Sequence, residues 1–173
     1  DACYFHGRNL FSLGRYEDAI APLAVAIRSA PASKLWRVNR AAAMNFQALA
    51  RPLEAERHYR EAMRLSEDGG LRVDFGAFLF RQGRTKEAVE PLRSALDGEA
   101  SARAHGELGR VLLQLGKLED AARHLEVAVA KAPKNWPLRL LLGRTYIQLG
   151  QAEAGERELR IARQGLEGST TSR

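Results

Sequence analysis

The stretch at residues 102–133, ARAHGELGRVLLQLGKLEDAARHLEVAVAKAP, decides the fold. In its first half, apolar residues recur at spacings of three and four, which predicts one face of an amphipathic helix. Gly116 interrupts that stripe, and a second stripe follows until Pro133, a residue that cannot continue a helix. The stretch therefore predicts two amphipathic helices joined by a tight turn.

Small residues stand inside both apolar stripes. Gly109 lies within the first predicted helix and Ala121 within the second. A glycine in a helix interior costs about 1 kcal/mol relative to alanine, so its presence indicates a packing requirement. We therefore predict that the second helix presses on the first at Gly109 and Ala121.

The same unit recurs five times along the chain. The column of Gly109 contains Gly7, Ala43, Gly76, Gly109 and Gly143, and the turn column contains Gly14, Ala50, Gly83, Gly116 and Gly150. The column of Ala121 contains Ala19, Ala55, Ala88, Ala121 and Gly155. The period between copies is 36, 33, 33 and 34 residues, and all of this variation falls between one copy and the next. The pattern indicates rigid units joined by connections of variable length.

A helix-turn-helix unit with a period near 34 residues resembles the tetratricopeptide repeat (TPR). The motif LGKLEDA at residues 115–121 and the closing Ala-Pro pairs at residues 30–31 and 132–133 carry the resemblance, which extends over about residues 1–167. It implies an all-α, right-handed superhelical solenoid of ten helices in five antiparallel pairs. It also implies that the first helices line a concave side, where peptide ligands of the family lie.

The copies span about residues 1–33, 34–68, 69–101, 102–135 and 136–168. Arg163 occupies a column that is apolar in the other copies, so we expect copy five to end the array, which needs a polar outer surface. We expect the sequence GLEGSTTSR at residues 165–173 to lack fixed structure, with residues 169–173 lying outside the array as a tail. Residues 30–34 form the longest predicted connection between copies.

Composition narrows the functional class. The chain has 173 residues, 45% of them hydrophobic, and no apolar run near the ~20 residues of a membrane span. We expect a soluble protein and favour a cytoplasmic over a periplasmic location slightly. The formal net charge of +6 favours acidic partners. Since the chain opens inside a predicted helix, we also expect it to be part of a longer protein.

No pattern predicts catalysis, a metal site or a cofactor. Cys3 and His6 share a helix face, but two ligands are too few for a zinc site. His105 lies in an apolar stripe and is interpreted as a packed core residue. His58 and His124 lack the Ser, Cys or Asp neighbours of a catalytic triad. The sequence therefore predicts a non-enzymatic protein without a cofactor.

The non-packed face of the first helices is basic, and we predict that it forms a peptide-binding groove. An acid, Asp1, occurs on this face only at the chain end, and arginine suits carboxylate and phosphate because its guanidinium is a planar fork. The predicted groove residues are Arg8, Phe11, Arg37, Arg40, Met44, Phe80, Arg81, Arg103, Arg110, Leu113, Arg144 and Ile147. The sequence thus predicts an interaction scaffold for an acidic or C-terminal peptide segment.

Two alternatives remain open at this point. Related helical repeats bind single-stranded nucleic acid, but that mode needs regular stacking platforms, and only Phe11 and Phe80 are suitable here. Self-association through an open end of the array is the other alternative. The lysine and asparagine clamp of the family members that bind chaperone C-termini is not matched, because its positions hold residues such as Tyr4, Ala41 and Asp74.

Overall fold

The computed structural model describes residues 2–97 and 101–170. This part of the chain contains ten α-helices and no β-strand, which confirms the all-α prediction. The helices are α1 (Ala2–Ser12), α2 (Tyr16–Ser29), α3 (Ala32–Ala48), α4 (Pro52–Leu65), α5 (Gly69–Arg81), α6 (Val89–Arg93), α7 (Ser101–Gln114), α8 (Leu118–Lys131), α9 (Trp136–Gln148) and α10 (Ala152–Thr170).

The helices pack as hairpins within two compact units. Unit 1 comprises residues 1–75 and unit 2 comprises residues 76–173, so the division falls inside α5. In unit 1, α1 packs on α2 and α3 on α4, and α2 also contacts α3. In unit 2, α7 packs on α8 and α9 on α10, and α8 also contacts α9. These helices thus contact their sequence neighbours within each unit, as expected for tandem repeats.

The turn inside each hairpin has one geometry throughout. Its glycines have φ between 73° and 77°, in the left-handed region, and Ala50 occupies the same position with φ 54°. The residue after each of them donates its N–H to the carbonyl five positions back, for example Lys117 to Leu112 at 2.9 Å and Arg51 to Phe46 at 2.9 Å. This bond satisfies a carbonyl at the end of the first helix. The turn needs a residue with left-handed backbone, which glycine adopts without strain, so glycine predominates in the turn column.

The predicted contact between paired helices is confirmed. A Cβ atom added to Gly109 would lie 2.7 Å from Cγ of Leu125 and 3.5 Å from the carbonyl oxygen of Ala121. Ala121 itself is fully buried. The same leucine column closes on Gly7 and Gly143 in their own hairpins. The glycine column therefore exists because a larger residue of the second helix occupies the space of its side chain.

Each unit has its own core between hairpins. In unit 1, Leu10, Ala19 and Leu23 form a buried cluster, with Tyr4 and Ala41 packed against it. In unit 2, the buried cluster consists of Leu125, Ala128, Val129, Leu138 and Leu142, and Leu113, Leu141 and Tyr146 are partly buried against it. The unit 1 cluster joins α1 to α2 and meets α3 at Ala41, whereas the unit 2 cluster lies where α8 meets α9.

The connection at residues 30–34 is not a long loop. Helix α3 begins at Ala32, with Pro31 as its N-cap, and it runs for 17 residues. The N–H of Lys34 already bonds to the carbonyl of Pro31 at 2.9 Å. The extra residues between copies one and two therefore belong to helix α3 and not to a loop. Proline is tolerated at the start of a helix, so α3 can begin directly after Pro31.

The second helix of copy three is shorter than its counterparts. Regular α-helix covers only Val89–Arg93, five residues against 14 in each of α2, α4 and α8. On both sides the backbone turns through tighter bonds to the third residue back, such as Ala95 to Leu92 at 3.2 Å. Pro91 removes one donor from this segment. Pro22 stands in the same column inside an uninterrupted α2, so proline alone does not explain the difference.

The prediction of an unstructured segment from residue 165 onward is wrong for residues 165–170. Helix α10 continues to Thr170 and is 19 residues long. A Cβ atom added to Gly165 would lie 2.5 Å from the ring of Trp136, so the two residues are in close contact. This contact joins the C-terminal part of α10 to the start of α9. Residues 171–173 of the predicted tail lie outside the described residues.

Candidate functional site

A cleft of about 670 Å³ opens between α1 and α3 in unit 1. Both are first helices of their repeats, which is where the sequence places the groove. Five predicted groove residues line it, namely Arg8, Phe11, Arg37, Arg40 and Met44. Tyr4, Phe5, Trp36 and Ala41 also line it, so its walls are largely aromatic and apolar. The cleft has the size and mixed lining of a ligand site.

Ala41 explains why the cleft is open. The equivalent positions of the other copies hold Phe5, Asp74, Glu107 and Leu141, all of them larger. Ala41 is half-buried and packs against the cluster of Leu10, Ala19 and Leu23. Copy two therefore has the smallest side chain of this column facing the preceding hairpin. A comparison of the columns could have found this position, because only alanine there leaves space on the α3 surface.

Trp36 and Phe5 were missed as cleft residues by the sequence reasoning. Trp36, Arg40 and Met44 follow one another at intervals of four, so they share one stripe of α3. Phe5 lies three residues before Arg8 on α1 and is 61% exposed, an unusual state for a phenylalanine. The helical spacing therefore predicts both residues, once the predicted groove face of α1 and α3 is extended by one turn toward the N-terminus of each helix.

Two of the cleft arginines lie over aromatic rings. The guanidinium carbon of Arg8 is 5.6 Å from the ring centroid of Tyr4, and that of Arg37 is 5.1 Å from the ring centroid of Trp36. Both arginines are exposed. Cation–π contact holds a guanidinium against the ring face while its N–H groups stay available at the edge. Arg8 and Arg37 thus place two cations at the edge of the cleft.

Arg40 differs from them because it is already paired. Its guanidinium nitrogens lie 2.6 Å from the carboxylate of Asp74 and 3.8 Å from that of Asp68. The side chain of Asp74 is only 6% exposed, so this contact is desolvated on the acid side. The sequence predicts a groove almost free of acids, whereas the structure places Asp74 and Asp68 beside Arg40. Arg40 thus adds less positive charge to the cleft than its sequence position indicates.

A smaller cleft of about 270 Å³ lies in unit 2. Arg103 and Arg110, both predicted groove residues, line it together with Gly106, Asn135 and Leu138. Glu107 also lines this cleft, and its carboxylate is 4.0 Å from the Arg110 guanidinium. Gly106 is buried, and a Cβ atom there would lie 3.0 Å from Leu138. This cleft has less than half the volume of the one in unit 1.

The remaining predicted groove residues line neither cleft. Arg81 and Arg144 are exposed on α5 and α9, and Phe80 is half-buried. Leu113 packs against the core cluster of unit 2. Ile147 is 44% exposed, but its side chain lies against α10, where a Cβ atom on Gly155 would be 2.6 Å from its Cγ1. Leu113 and Ile147 therefore take part in helix packing.

His105 and His124 form a pair in unit 2. Their Nδ1 atoms are 2.8 Å apart, a distance at which one nitrogen donates and the other accepts. Burial lowers the pKa of both imidazoles, and for His124 the charge of its partner lowers it further. His105 is therefore half-buried between the paired helices, and its imidazole is hydrogen-bonded to that of His124. Among the described residues, no group of three or more His, Cys, Asp or Glu side chains could hold a metal ion.

The same pairing position is polar in two further copies. In copy two, His58 Nδ1 lies 2.9 Å from Oδ1 of Asn39, and in copy five Arg139 bonds to Glu158. In each case the partners are 19 residues apart, one on each helix of the hairpin. The imidazoles singled out in the sequence are thus part of a repeated contact between paired helices.

None of the described helices has the length and apolar composition needed to cross a bilayer.

Family models of the tetratricopeptide repeat match this sequence in two overlapping places. One matches residues 73–136 and another matches residues 112–165. Together they cover residues 73–165, more than half of the 173-residue chain. No curated protein matches the sequence.

Solved structures with the same fold are numerous. PilF of Pseudomonas aeruginosa superposes with a TM-score of 0.89 at 24% identity, over 95% of this chain and 75% of that chain. PilW, described as a widely conserved type IV pilus biogenesis factor, gives a TM-score of 0.84 at 21% identity, over 96% and 77%. YrrB, described as a TPR protein with an unusual peptide-binding site, gives 0.74 at 21% identity, over 94% and 84%.

Proposed function

Because this chain belongs to the tetratricopeptide repeat family, we propose that it is a non-enzymatic scaffold that binds an acidic peptide segment on the first helices of its repeats. The family's fold suits protein–protein interaction. The observation that carries the proposal is the cleft of unit 1, where exposed Arg8 and Arg37 flank an apolar interior. The likeness to PilF, PilW and YrrB supports the fold. The acidic character of the partner is inferred from the residues that line the cleft.

Electrostatics favour an acidic segment. The chain carries a formal net charge of +6, so anions are attracted to it in general. Arg8 and Arg37 are held over rings, which reduces the entropy that each would lose on forming a bidentate bond to a carboxylate. In unit 2, Arg103 and Arg110 offer a second basic position, partly offset by Glu107. A peptide with carboxylate side chains fits the exposed arginines of the unit 1 cleft.

Single-stranded nucleic acid is the weaker candidate. Binding of that kind depends on free aromatic faces on which bases stack. One face of Tyr4 is covered by Arg8, one face of Trp36 is covered by Arg37, and Phe11 packs on Tyr16 at a centroid distance of 5.3 Å. Of the cleft rings, Phe5 is the one that is largely exposed, at 61%. A single exposed ring does not provide the regular series of stacking faces that successive bases need, so the cleft is better suited to side chains of a peptide.

The test is a binding titration with fluorescein-labelled peptides rich in Asp and Glu, measured by anisotropy. Each peptide is used with a free and with an amidated C-terminus, and a neutral peptide of the same length is the reference. The double variant Arg8→Glu with Arg37→Glu should reduce affinity for the acidic peptides at least tenfold, while circular dichroism stays helical. Binding should weaken as salt rises, since exposed charges are screened over about 10 Å at 0.1 M.

The matched control is Arg160→Glu with Arg163→Glu. Both residues are exposed on α10, and the double change alters net charge by the same amount. If this control loses the acidic peptides and the cleft variant keeps them, the binding surface lies elsewhere and the proposal fails. A single-stranded thymidine oligonucleotide that binds more tightly than every acidic peptide would also overturn it. If amidation of the C-terminus weakens the binding of each acidic peptide, the C-terminal carboxylate is the recognised group.

A further inference from the structure

We infer that the unit 1 cleft selects a bulky apolar side chain, aromatic or large aliphatic, that stands next to carboxylates in the bound segment. This inference rests on the proposed function and narrows the class of partner. It distinguishes a mixed apolar and acidic motif from a simple polyanion. The evidence lies in the floor, the walls and the charge of the cleft.

The floor of the cleft is shaped to admit a side chain. Ala41 is the smallest residue of its column, and Phe5, Asp74, Glu107 and Leu141 occupy the equivalent positions. Beneath it lies the buried cluster that contains Leu10 and Leu23, so the floor is apolar. A ligand side chain in this position would displace water from carbon surface, which is the favourable term in apolar binding.

The walls are also apolar. Tyr4 and Phe11 face the cleft from α1, and Trp36 and Met44 face it from α3. Methionine adapts its shape to a partner, and it makes favourable contacts with aromatic rings. A volume of about 670 Å³ is far larger than one carboxylate requires. The space therefore suits a large side chain together with the backbone that carries it.

Positive charge is concentrated at the edge of the cleft. Arg8 and Arg37 are exposed, whereas Arg40 is half-buried and neutralised by Asp74 at 2.6 Å. A carboxylate is thus favoured beside the exposed arginines, and the environment around Ala41 suits an uncharged group. This separation of charge fits a motif in which an apolar residue is flanked by Asp or Glu.

The experiment compares peptides that differ at one position. A fluorescein-labelled peptide with a central Asp-Phe-Asp is titrated beside Asp-Leu-Asp, Asp-Ala-Asp and Ala-Phe-Ala versions of the same length. Replacing the central Phe by Ala should weaken binding about tenfold or more, as expected for losing a buried aromatic side chain. The Leu peptide should lie between them, and the Ala-Phe-Ala peptide should bind weakly.

The outcomes separate this inference from the proposed function. If the Phe and Ala peptides bind within twofold of one another, acidic recognition stands and the apolar selection is overturned. If none of the acidic peptides binds, the proposed function itself has failed. The comparison uses the unaltered protein, so a folding defect cannot obscure either result.

A second measurement fills the cleft from the protein side. Ala41→Leu introduces the residue that copy five carries in the same column, and Ala41→Ser is the near-isosteric control. The leucine variant should lose most of the tenfold preference for Phe over Ala while its affinity for the Ala peptide stays within twofold. The serine variant should keep the preference. Full retention of the preference by a folded leucine variant would place the apolar contact outside this cleft and overturn the inference.

Discussion

At the scale of single residues, the structure predicts effects of backbone conformation at the turns and of protonation at the histidine pair. Four turn glycines have φ between 73° and 77°, and Ala50 has φ 54° in the equivalent turn. An L-residue in this region is strained because its Cβ approaches the following carbonyl oxygen. Copy two therefore carries local strain that the other turns avoid.

Replacing Ala50 by glycine should relieve that strain. We expect Ala50→Gly to raise the free energy of unfolding by about 0.5–1 kcal/mol. The matched change Gly116→Ala should lower the free energy of unfolding by about 1 kcal/mol, because Gly116 has φ 73° and alanine is strained there. An added Cβ meets no atom within 4 Å, so the loss comes from backbone conformation and not from a clash. Urea unfolding of both variants measures the two values. Equal effects of the same sign would contradict a conformational origin.

The His105 and His124 pair should make unit 2 sensitive to acid. Burial lowers both pKa values below the ordinary 6.5, so the unfolded state takes up protons first as pH falls. The stabilisation is complete above about pH 6.5 and decreases as pH falls toward the lowered pKa values. Melting temperatures measured between pH 7.5 and 5.5, a range in which carboxylates stay ionised, should therefore decline on the acid side.

His105→Asn provides the control for this pH dependence. It reproduces the Asn39 and His58 pair of copy two, in which one imidazole faces an amide oxygen at 2.9 Å. The acid-induced decline of the melting temperature should become shallower, since one of the two facing imidazoles is gone. An unchanged decline would mean that other groups carry the pH dependence.

At the scale of helices, close approach of paired helices determines which residues are tolerated. Gly109 and Ala121 remain small because Leu125 and the backbone of α8 fill the space beside them. The contact recurs through the same columns at Gly7, Gly76 and Gly143, and it accounts for the small residues of the repeat pattern. Packing at protein density allows little adjustment there.

Enlarging Ala121 should therefore destabilise the hairpin of α7 and α8. We expect Ala121→Leu to cost about 1–3 kcal/mol through overpacking. Ala130→Leu on the same helix is the control, because Ala130 is exposed and Ala121 is fully buried. Thermal melts followed by circular dichroism give both values. A destabilisation of similar size in the control would show that helix propensity, and not the contact, is responsible.

The C-terminal part of α10 depends on contact with Trp136. Gly165 lies against that ring, whereas an added Cβ on Gly168 meets nothing within 4 Å. Gly165→Ala should lower the melting temperature, because the alanine methyl requires the indole to move. Gly168→Ala should leave it unchanged or raise it, since alanine favours a helix over glycine by up to about 1 kcal/mol. Opposite signs are the expected result, and a stabilising Gly165→Ala would contradict the contact.

At the scale of the whole molecule, the two compact units allow separate observation of each part. The chain has two tryptophans, Trp36 in residues 1–75 and Trp136 in residues 76–173. In repeat proteins, stability is approximately a sum of local and nearest-neighbour terms, so distant parts can respond unequally to one substitution. Each tryptophan is therefore a reporter of its own unit.

Removing the Arg40 side chain should affect unit 1 most. Arg40→Ala deprives the nearly buried Asp74 of its 2.6 Å partner, which should cost about 1–3 kcal/mol. In the single-tryptophan backgrounds Trp36→Phe and Trp136→Phe, guanidinium unfolding should show a larger midpoint shift from Trp36 fluorescence than from Trp136 fluorescence. Equal shifts would indicate that the described chain unfolds as one cooperative unit.

The repeat architecture could be predicted from the amino-acid sequence alone. Periodicity, the turn column and the small-residue columns are local properties, in which residues a few positions apart constrain one another through helix geometry. For this reason the helices of copies one, two, four and five and the contact of Gly109 with Ala121 could be predicted. Five of the predicted groove residues were likewise placed together by their position on first helices.

Which side chains meet across helices could be learned only from the folded chain. Arg40 and Asp74 are 34 residues apart, and their pairing depends on the position of α3 relative to α5. The opening above Ala41, the His105 and His124 contact, and the seating of α10 on Trp136 likewise join residues from different helices. Such contacts depend on burial and distance between helices, which short-range periodicity does not specify, so charge and shape at the cleft became readable only in the folded chain.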